Sequence, residues 1–373
     1  MKIMKIGILT YHRAHNYGAV LQAYALKTYL ADLGHTVKFI DYWPISHEKT
    51  YRLWNTDLYR NKSWVIKMKL FISFLLLFFK KIKRINRFNS FIHSYLGVGK
   101  IIRHRLLTPD IDLDVDLLVY GSDQIWRNWI TKQQYIGFDS TYFGYNVDYS
   151  IPKITYAASM GIINYNDEEL LFLKEAIHNF SIVLVRERLL SNLLKNFNYK
   201  ADIVCDPVFL LSKDKWNSIL PQERYLLDEY VVYYRLLPSV NAEKLAVDIA
   251  KRNNCKLLVI TASVAFTLNR NEKQTLSPIE FIQMIRDAKI VIATSFHGTA
   301  FSLIFEKQFY TLGLGTNSDR VLTLLKNVAL EDRYIQDFNS IKYNDIDYTE
   351  TNNKIINMLH DSKRLLNKAI NNL

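Results

Sequence analysis

The residues best suited to chemistry lie in short polar segments that directly follow apolar runs of strand length. The clearest segment is Thr294–Thr299 (T-S-F-H-G-T), which follows Ile290–Ala293 and leads into a run with helical spacing. This order places His297 at a helix N-terminus, where free backbone N–H groups favour an anion. A histidine there can also exchange a proton. The segment predicts an acid–base histidine beside an anion site; a structural histidine is the alternative.

A second segment, Gly121–Trp126 (G-S-D-Q-I-W), also follows an apolar run. Ser122, Asp123 and Gln124 offer a hydroxyl, a carboxylate and an amide, which suit the hydroxyls of a sugar. Trp126 could add a surface on which a sugar ring stacks. The alternative interpretation is that Ser122 and Asp123 only cap a following helix.

The first polar loop, Tyr11–Gly18, follows the apolar run Lys5–Thr10. It does not have the G-x-G-x-x-G pattern of dinucleotide-binding loops. Asn16 is typical of a helix N-cap, and Gly18 would allow a ligand or another backbone to approach closely. The side chains that could face an anion or a sugar are His12, Arg13 and His15. Two surface histidines beside a capped helix are the alternative.

Two arginines complete the candidate set. Arg186 follows the apolar run Ile182–Val185, so its fork of donors could hold a phosphate or carboxylate at a strand end. Pairing with Glu187 is the alternative. Arg320 ends a glycine-rich loop that begins at Gly313 and could complete an anion pocket.

An acidic run, Asp110–Asp116, has a carboxylate at every second position. In an extended chain these four side chains share one face, which superficially matches the D-x-D metal motif of some sugar transferases. The alternation continues into Leu117–Val119, which indicates a solvated entrance to a strand. We therefore expect no metal site.

The elements that must position these residues alternate between strand and helix along the whole chain. Short apolar runs alternate with segments of 3.6-residue periodicity in both halves, which predicts an α/β fold of two doubly wound, Rossmann-like domains facing a cleft. The expected divisions are an N-terminal domain (1–215), a C-terminal domain (225–345) and C-terminal helices (346–373). In such sheets ligands bind beyond the carboxyl ends of the strands, where all the candidate segments lie.

The net charge of +12 comes from one segment. Residues 52–105 carry thirteen Lys/Arg and one acid, and the rest of the 373-residue chain is neutral. This segment contains Leu70–Phe79 (LFISFLLLFF), too short to span a bilayer, flanked by Lys80, Lys81, Lys83, Arg84 and Arg87. The pattern is typical of an interfacial helix on an anionic membrane; a buried helical hairpin is the alternative. It does not resemble a nucleic-acid groove.

Two cysteines, Cys205 and Cys255, form no disulfide framework or metal pattern, which indicates a reducing compartment. Met1–Thr10 is typical of a first strand rather than of a signal peptide. We therefore expect a cytoplasmic protein, peripheral at the inner face of a membrane. The oligomeric state stays open.

Four motifs together resemble the polysaccharide pyruvyl transferase family. They are N-Y-G-A-V-L-Q-A-Y-A-L (Asn16–Leu26), Y-G-S-D-Q-I-W (Tyr120–Trp126), V-R-E (Val185–Glu187) and S-F-H-G (Ser295–Gly298). The resemblance implies a fold like that of GT-B glycosyltransferases, no metal and no cofactor. It implies transfer of the enolpyruvyl unit of phosphoenolpyruvate onto two hydroxyls of a sugar, which gives a pyruvate ketal. Ketal-forming members often have Arg-Leu-His where this chain has Ser295-Phe296-His297.

The resemblance also implies roles for the candidate residues. Arg186 would hold the donor and His297 would act as the acid, with Asp123 or His15 as the base. The remaining residues expected on the donor side are Ser295, Phe296, Gly298 and Arg320. Those expected on the acceptor side are His15, Asn16, Tyr17, Gly18, Ser122, Gln124 and Trp126. The acceptor would be a surface-polysaccharide precursor on an undecaprenyl carrier. Because of the missing arginine, a metal-independent glycosyltransferase using a nucleotide sugar is the alternative, and a non-catalytic sugar-binding protein is a third.

Overall fold

The computed structural model describes residues 2–55, 59–98, 101–103, 107–130, 135–161, 165–312, 315, 318–337 and 341–373. The strands are β1 (Lys5–Leu9), β2 (Thr36–Phe39), β3 (Tyr42–Trp43), β4 (Ile102–Arg103), β5 (Leu117–Tyr120), β6 (Trp129–Ile130), β7 (Tyr135–Gly137), β8 (Lys153–Thr155), β9 (Leu184–Val185), β10 (Asp202–Ile203), β11 (Tyr230–Arg235), β12 (Lys256–Thr261), β13 (Glu272–Lys273), β14 (Ile290–Ala293) and β15 (Gln308–Thr311). The helices are α1 (Tyr17–Asp32), α2 (Ile45–Tyr51), α3 (Trp64–Phe91), α4 (Asp167–Ala176), α5 (Arg188–Asn196), α6 (Lys213–Asn217), α7 (Val240–Arg252), α8 (Pro278–Asp287), α9 (Phe296–Ile304), α10 (Asp319–Asn327) and α11 (Tyr348–Asn371).

Two parallel sheets confirm the predicted α/β fold. The N-terminal sheet has the order β2-β1-β5-β8, and single bridges connect it onward to the pair β9-β10. The C-terminal sheet has the order β13-β12-β11-β14-β15, with every pair parallel. The chain changes direction across each sheet beside β1 and beside β11, and ligands of doubly wound sheets bind at such points. The candidate segments after β1, β5, β9 and β14 all lie at carboxyl ends of strands.

Helix α1 is buried around most of its circumference because it packs on both halves of the protein. Asn16 caps its N-terminus, as predicted, by accepting hydrogen bonds from the backbone N–H groups of Gly18 and Ala19. Gly34 follows its C-terminus with a φ of +93°, a conformation that favours glycine. The helix contacts α8 of the C-terminal half as well as the N-terminal sheet. It therefore connects the two cores.

The two halves meet around Tyr17, at the start of α1. Its ring stacks on Phe281 of α8 with centroids 4.4 Å apart, and its hydroxyl donates to the carbonyl of Leu276. Arg84 of α3 donates to the Tyr17 hydroxyl at 3.0 Å and to the carbonyl of Gln274 at 2.9 Å. Arg87 pairs with Glu280 in the same region. Helix α3 therefore helps to hold the two halves together.

The positions of Arg84 and Arg87 correct one prediction. Both were expected among the exposed cations that flank the apolar run, but Arg84 is buried and Arg87 faces α8. Residues 64–91 form a single helix, so the alternative of a buried helical hairpin is wrong. The part of the chain that the structure describes contains no helix with the length and hydropathy needed to cross a membrane.

The first part of α3, residues 64–79, which we call the outer half, leaves its apolar side chains in solvent. Trp64, Ile72, Leu76 and Phe79 are more than half exposed, with Phe79 at 82%. From Lys80 onward the helix packs on the protein and buries Phe88 and Phe91. The exposed apolar surface is therefore confined to the outer half.

The last helix, α11, returns from the C-terminal half to the N-terminal half. The hydroxyl of Ser362 accepts from the backbone N–H of Cys205, and the hydroxyl of Tyr29 donates to Asn367. Leu366, Ala369 and Ile370 are buried against the core. The sequence predicted one or two helices here, and the structure has one.

We expect Arg84→Met to lower the free energy of unfolding by about 2–4 kcal/mol. The substitution leaves the buried carbonyl of Gln274 and the hydroxyl of Tyr17 without their charged donor. Lys83→Met is the control, because Lys83 is exposed on the same helix turn. Urea unfolding followed by fluorescence measures both variants, and equal stability of the two would contradict the role of Arg84.

Candidate active site

His297 lies in the first turn of α9, where the sequence placed it. Ser295 caps the helix by accepting from the N–H of Gly298. The His297 ring lies against α1 of the other half at Gly18, and a Cβ on Gly18 would lie 2.0 Å from Nδ1 of His297. The predicted close approach at Gly18 is therefore made by His297. Only 12% of the His297 side chain is exposed.

Asp206 is a site residue that the sequence analysis missed. It follows β10, is fully buried, and accepts a 2.5 Å hydrogen bond from Nη1 of Arg186 through Oδ2. The same oxygen lies 3.6 Å from Nε2 of His297. Burial alone would raise the pKa of the Asp206 carboxyl, but His297 and Arg186 hold it well below its ordinary value. Asp206 therefore stays ionised between two candidate site residues.

Arg186 lies at the centre of the cluster. Its Nη2 is 4.0 Å from Asp123, its Nε is 4.0 Å from Glu187, and its Nη1 also reaches the hydroxyl of Ser122 at 3.4 Å. Burial by itself would lower the pKa of the guanidinium, but Asp206, Glu187 and Asp123 raise it above its ordinary value. Among the described residues, neither Nε nor Nη2 has a hydrogen-bond partner. Arg186 thus keeps two buried donors unused.

Phe296 places a second arginine beside the first. The guanidinium of Arg186 lies 5.2 Å from the Phe296 ring centroid and that of Arg320 lies 5.9 Å from it. Burial, with the charge of Arg186, lowers the pKa of Arg320 to about 10. Its Nε has no partner within the described part of the chain. Of the predicted glycine-rich loop, Gly313 and Asn317 lie outside the described residues.

A cavity of about 450 Å³ opens beside this pair of arginines. Arg186, Arg320, Asp206 and Phe296 form one wall, and α11 closes the other with Lys354, Asn357, Met358, Asp361 and Ser362. Arg188 also lines it. Four of its lining side chains are cationic and two are acidic, so the cavity suits an anion.

Asp123, the predicted base, lies near Nη2 of Arg186 with 18% of its side chain exposed. It follows β5 with a φ of +71°, and its carboxylate accepts from the N–H of Gln124. Gln124 is half-buried and its side chain accepts from Arg127. His15 is half-buried between Tyr51 and Phe88, with ring centroids 5.2 and 5.5 Å away.

Several acceptor-side predictions need correction. Trp126 is fully buried, stacks on Phe143 and donates to the carbonyl of Tyr142, so it offers no surface to a sugar. Tyr17 is buried at the contact between the halves. Ser122 is also buried, and it donates to the carbonyl of Ala157 while accepting from Arg186. These three side chains support the site without facing it, and Asn16 acts as a helix cap.

His12 and Arg13 also face inward. Both bind Asp41, at 2.8 Å through Nε2 of His12 and at 2.5 Å through the guanidinium of Arg13. His12 and Asp41 are almost wholly buried. The prediction that these two side chains face an anion or a sugar is therefore wrong.

The acidic run before β5 makes local contacts. Asp114 pairs with Lys5 at 2.6 Å, and Asp116 accepts from the backbone N–H of Lys5. Asp112 accepts from the backbone of Asp114. Across the described residues no group of three or more His, Cys, Asp or Glu side chains is arranged to hold a metal ion.

A match to a family model identifies the family to which the chain belongs. The model for polysaccharide pyruvyl transferase matches residues 16–315, which include Gly121–Trp126, Arg186 and Thr294–Thr299, whereas His15 and Arg320 lie outside the matched range. The chain belongs to this family. It is therefore a transferase, and the family's activity concerns polysaccharides. No curated protein sequence matches the chain.

Several solved structures align with most of the chain at low similarity. UDP-GlcNAc 2-epimerase from Neisseria meningitidis bound to UDP-GlcNAc aligns over 100% of both chains with a TM-score of 0.48 and 10% identity. The S. aureus MnaA–UDP structure covers 98% of this chain and 95% of its own at 0.48 and 11%. The glycosyltransferase SnogD from Streptomyces nogalater covers 99% and 100% at 0.43 and 10%. Likeness at this level carries no information on function.

The burial of His15 predicts a pH dependence of stability for this pyruvyl transferase family member. Burial, opposed by a hydrogen bond with Asn89 and aided by Arg84, lowers the pKa of His15 to about 4. Because the unfolded state then binds the proton more tightly, the contribution is complete above pH 6.5 and falls as the pH drops towards 4. We expect a loss of about 2 kcal/mol between pH 7 and pH 5 from this residue.

Urea unfolding at both pH values measures this loss, and His15→Phe should reduce it while keeping the ring packing. His360→Gln is the control, because His360 is exposed on α11. The same pH dependence in His15→Phe and in the native protein would contradict the assignment.

Proposed function

We propose that the protein transfers the enolpyruvyl unit of phosphoenolpyruvate to two hydroxyls of a saccharide, forming a pyruvate ketal. The observation that supports this most is the pair of buried arginines on Phe296, with His297 close by. Arg186 and Arg320 approach the same ring, border one cavity, and keep unpartnered N–H donors among the described residues. A small molecule with a carboxylate and a phosphate needs two such cations.

The chemistry begins with a proton. His297 protonates the methylene carbon of the donor, which leaves an oxocarbenium-like centre at the adjacent carbon. A sugar hydroxyl attacks that carbon and loses its proton to a base. The carbon–oxygen bond to phosphate then breaks, phosphate leaves, and a second hydroxyl closes the ketal as it loses its proton. Of the two hydroxyl protons, one balances the proton taken up by the methyl group, and the other leaves with phosphate or solvent.

Asp123 is the residue proposed as the base. It is half-buried after the end of β5, with its carboxylate 4.0 Å from Nη2 of Arg186. His15 stays neutral at pH 7 because its pKa is about 4. It is therefore better suited to contact the sugar than to provide a charge.

Arg320 is proposed to replace the arginine that related ketal-forming enzymes often have two residues before the histidine. In this chain that position is Ser295, which is buried and caps α9. Arg320 reaches the Phe296 ring from α10 instead. On this proposal α10 supplies the second cation, in place of the segment before α9.

A donor screen tests the proposal. Phosphoenolpyruvate should raise the melting temperature of the native protein, and nucleotide diphosphate sugars should not, because a ligand stabilises the state that it binds. Arg186→Ala and Arg320→Ala should lose this response. His297→Asn should keep it, but ketal formation from phosphoenolpyruvate should fall by about 10²–10⁴-fold, as expected for a lost general acid.

Lys213→Ala is the control, because Lys213 is exposed and pairs with Glu306 away from the cavity. Stabilisation by a nucleotide sugar alone would favour a glycosyltransferase. Intact acceptor affinity without product from any donor would favour a sugar-binding protein. Full ketal formation by His297→Asn would contradict the acid assignment.

We further propose that the saccharide is lipid-linked, on a polyprenyl carrier such as undecaprenyl, and that the outer half of α3 binds the anionic membrane that carries it. The exposed apolar side chains of this half lie on a helix that also carries Lys67 and Lys69, and Lys80 and Lys83 follow as exposed residues. Apolar area and positive charge act together at an anionic bilayer.

Leu76→Glu combined with Phe79→Glu should reduce co-sedimentation with vesicles of anionic phospholipid by at least about tenfold, because both side chains would otherwise enter the interface. Leu227→Glu combined with Leu268→Glu is the matched control, because these leucines are 92% and 87% exposed on other surfaces. Binding of the control pair should match that of the native protein. Unchanged binding of Leu76→Glu/Phe79→Glu would contradict the membrane proposal.

A further inference from the structure

Asp206 lies between the residue proposed to bind the donor and the residue proposed to donate the proton, yet the chemistry above gives it no step. Its Oδ2 accepts from Nη1 of Arg186 at 2.5 Å and lies 3.6 Å from Nε2 of His297. Its other oxygen, Oδ1, accepts from the N–H of Val208 at 3.1 Å. One buried carboxylate thus connects β10, β9 and α9.

We propose that Asp206 is a positioning residue that orients Arg186 for the donor and holds the His297 ring beside it. The inference rests on the proposed function, since it assigns a purpose to a residue of that same site. It concerns this chain's own geometry, in which the carboxylate comes from the segment after β10 and both of its partners come from other elements.

The contact with Arg186 determines which edge of the guanidinium is open. Asp206 takes only Nη1, and the remaining Nε and Nη2 have no hydrogen-bond partner among the described residues. These two atoms form the side-on fork that binds a carboxylate or phosphate with two parallel hydrogen bonds. Asp206 therefore fixes the arginine through Nη1 alone, while Nε and Nη2 face the carboxylates of Glu187 and Asp123 at 4.0 Å without a hydrogen bond.

The contact between Asp206 and His297 leaves the proton on Nε2 of His297 available for transfer. At 3.6 Å the two atoms are too far apart for a good hydrogen bond, and Nε2 has no partner in the described part of the chain. The carboxylate of Asp206 nevertheless faces Nε2 directly, so it lies on the side of the ring from which the proton would be transferred. On its other side the ring lies against Gly18, which limits its movement.

Other charged groups contribute to the same field. Arg186, Asp123 and Glu187 lie on the N-terminal half, and Arg320 approaches from α10. Glu187 accepts from the backbone N–H groups of Met160 and Gly161, and Cys205 lies next to Asp206 in the chain. Among the ion pairs that the described residues form, the carboxylate nearest to Nε2 of His297 is that of Asp206.

A second cluster in the same protein has the same three residue types and serves as a control. Asp41 binds His12 and Arg13 at the end of β2, where His12 is 1% exposed. Its histidine has no exposed surface for a substrate, so this cluster has only a structural role. Comparing the two carboxylates separates positioning for catalysis from simple stabilisation.

The test is steady-state kinetics of ketal formation by Asp206→Asn. The amide keeps the size of the side chain and the acceptor for Val208, but removes the charge. We expect kcat to fall by about 10²-fold, as for a misplaced catalytic group. KM for phosphoenolpyruvate should rise, because Arg186 loses the contact that orients it for the donor.

Asp41→Asn should lower the melting temperature without changing kcat, KM or the pH profile of the folded protein. Asp206→Glu keeps the charge and should retain most of the native kcat and KM; this variant also decides the question if Asp206→Asn does not fold. Native kcat and KM in Asp206→Asn, or the same losses in Asp206→Glu as in Asp206→Asn, would overturn the inference. Absence of ketal from the native protein would instead contradict the proposed function.

Discussion

The contact between Gly18 and His297 is the constraint on which the site depends. A side chain at position 18 would occupy the place of the His297 imidazole, so helices α1 and α9 can meet only because the first carries no Cβ there. Each helix begins at the carboxyl end of a strand in its own sheet, and each directs its positive N-terminal end towards the other. Tyr17 and Arg84, immediately beside this contact, hold the two halves in that arrangement.

The sequence predicted the parts of the site that local pattern determines. His297, Arg186 and the start of α1 each follow an apolar strand, and parallel strands bring their carboxyl ends to one edge. Asp206 could not be recognised in this way, because an Asp-Pro pair after a two-residue strand is typical of a turn. Its role depends on α9, which lies some ninety residues later in the chain. Only the tertiary structure brings the two together.

The errors have the same origin. Trp126 stands in a polar segment and looked exposed, but the loop that carries Tyr142 and Phe143 covers it. Arg84 lies in a basic run, which predicted an exposed charge. In the structure it donates to the carbonyls of Gln274 and His15 and to the hydroxyl of Tyr17. In each case composition identified the residue, and a partner distant in sequence decided its environment.

On the proposed function, the net charge of the segment 52–105 serves two purposes. Arg84 and Arg87 stabilise the contact between the halves, where Arg84 also donates to the carbonyl of His15 beside the site. The outer half of the same helix extends roughly 24 Å away from them, at about 1.5 Å per residue. A rigid helix with one end at the site and the other on a membrane would keep the site at a fixed height above the surface. On the proposed function, that height has to match the reach of a saccharide attached to its lipid carrier.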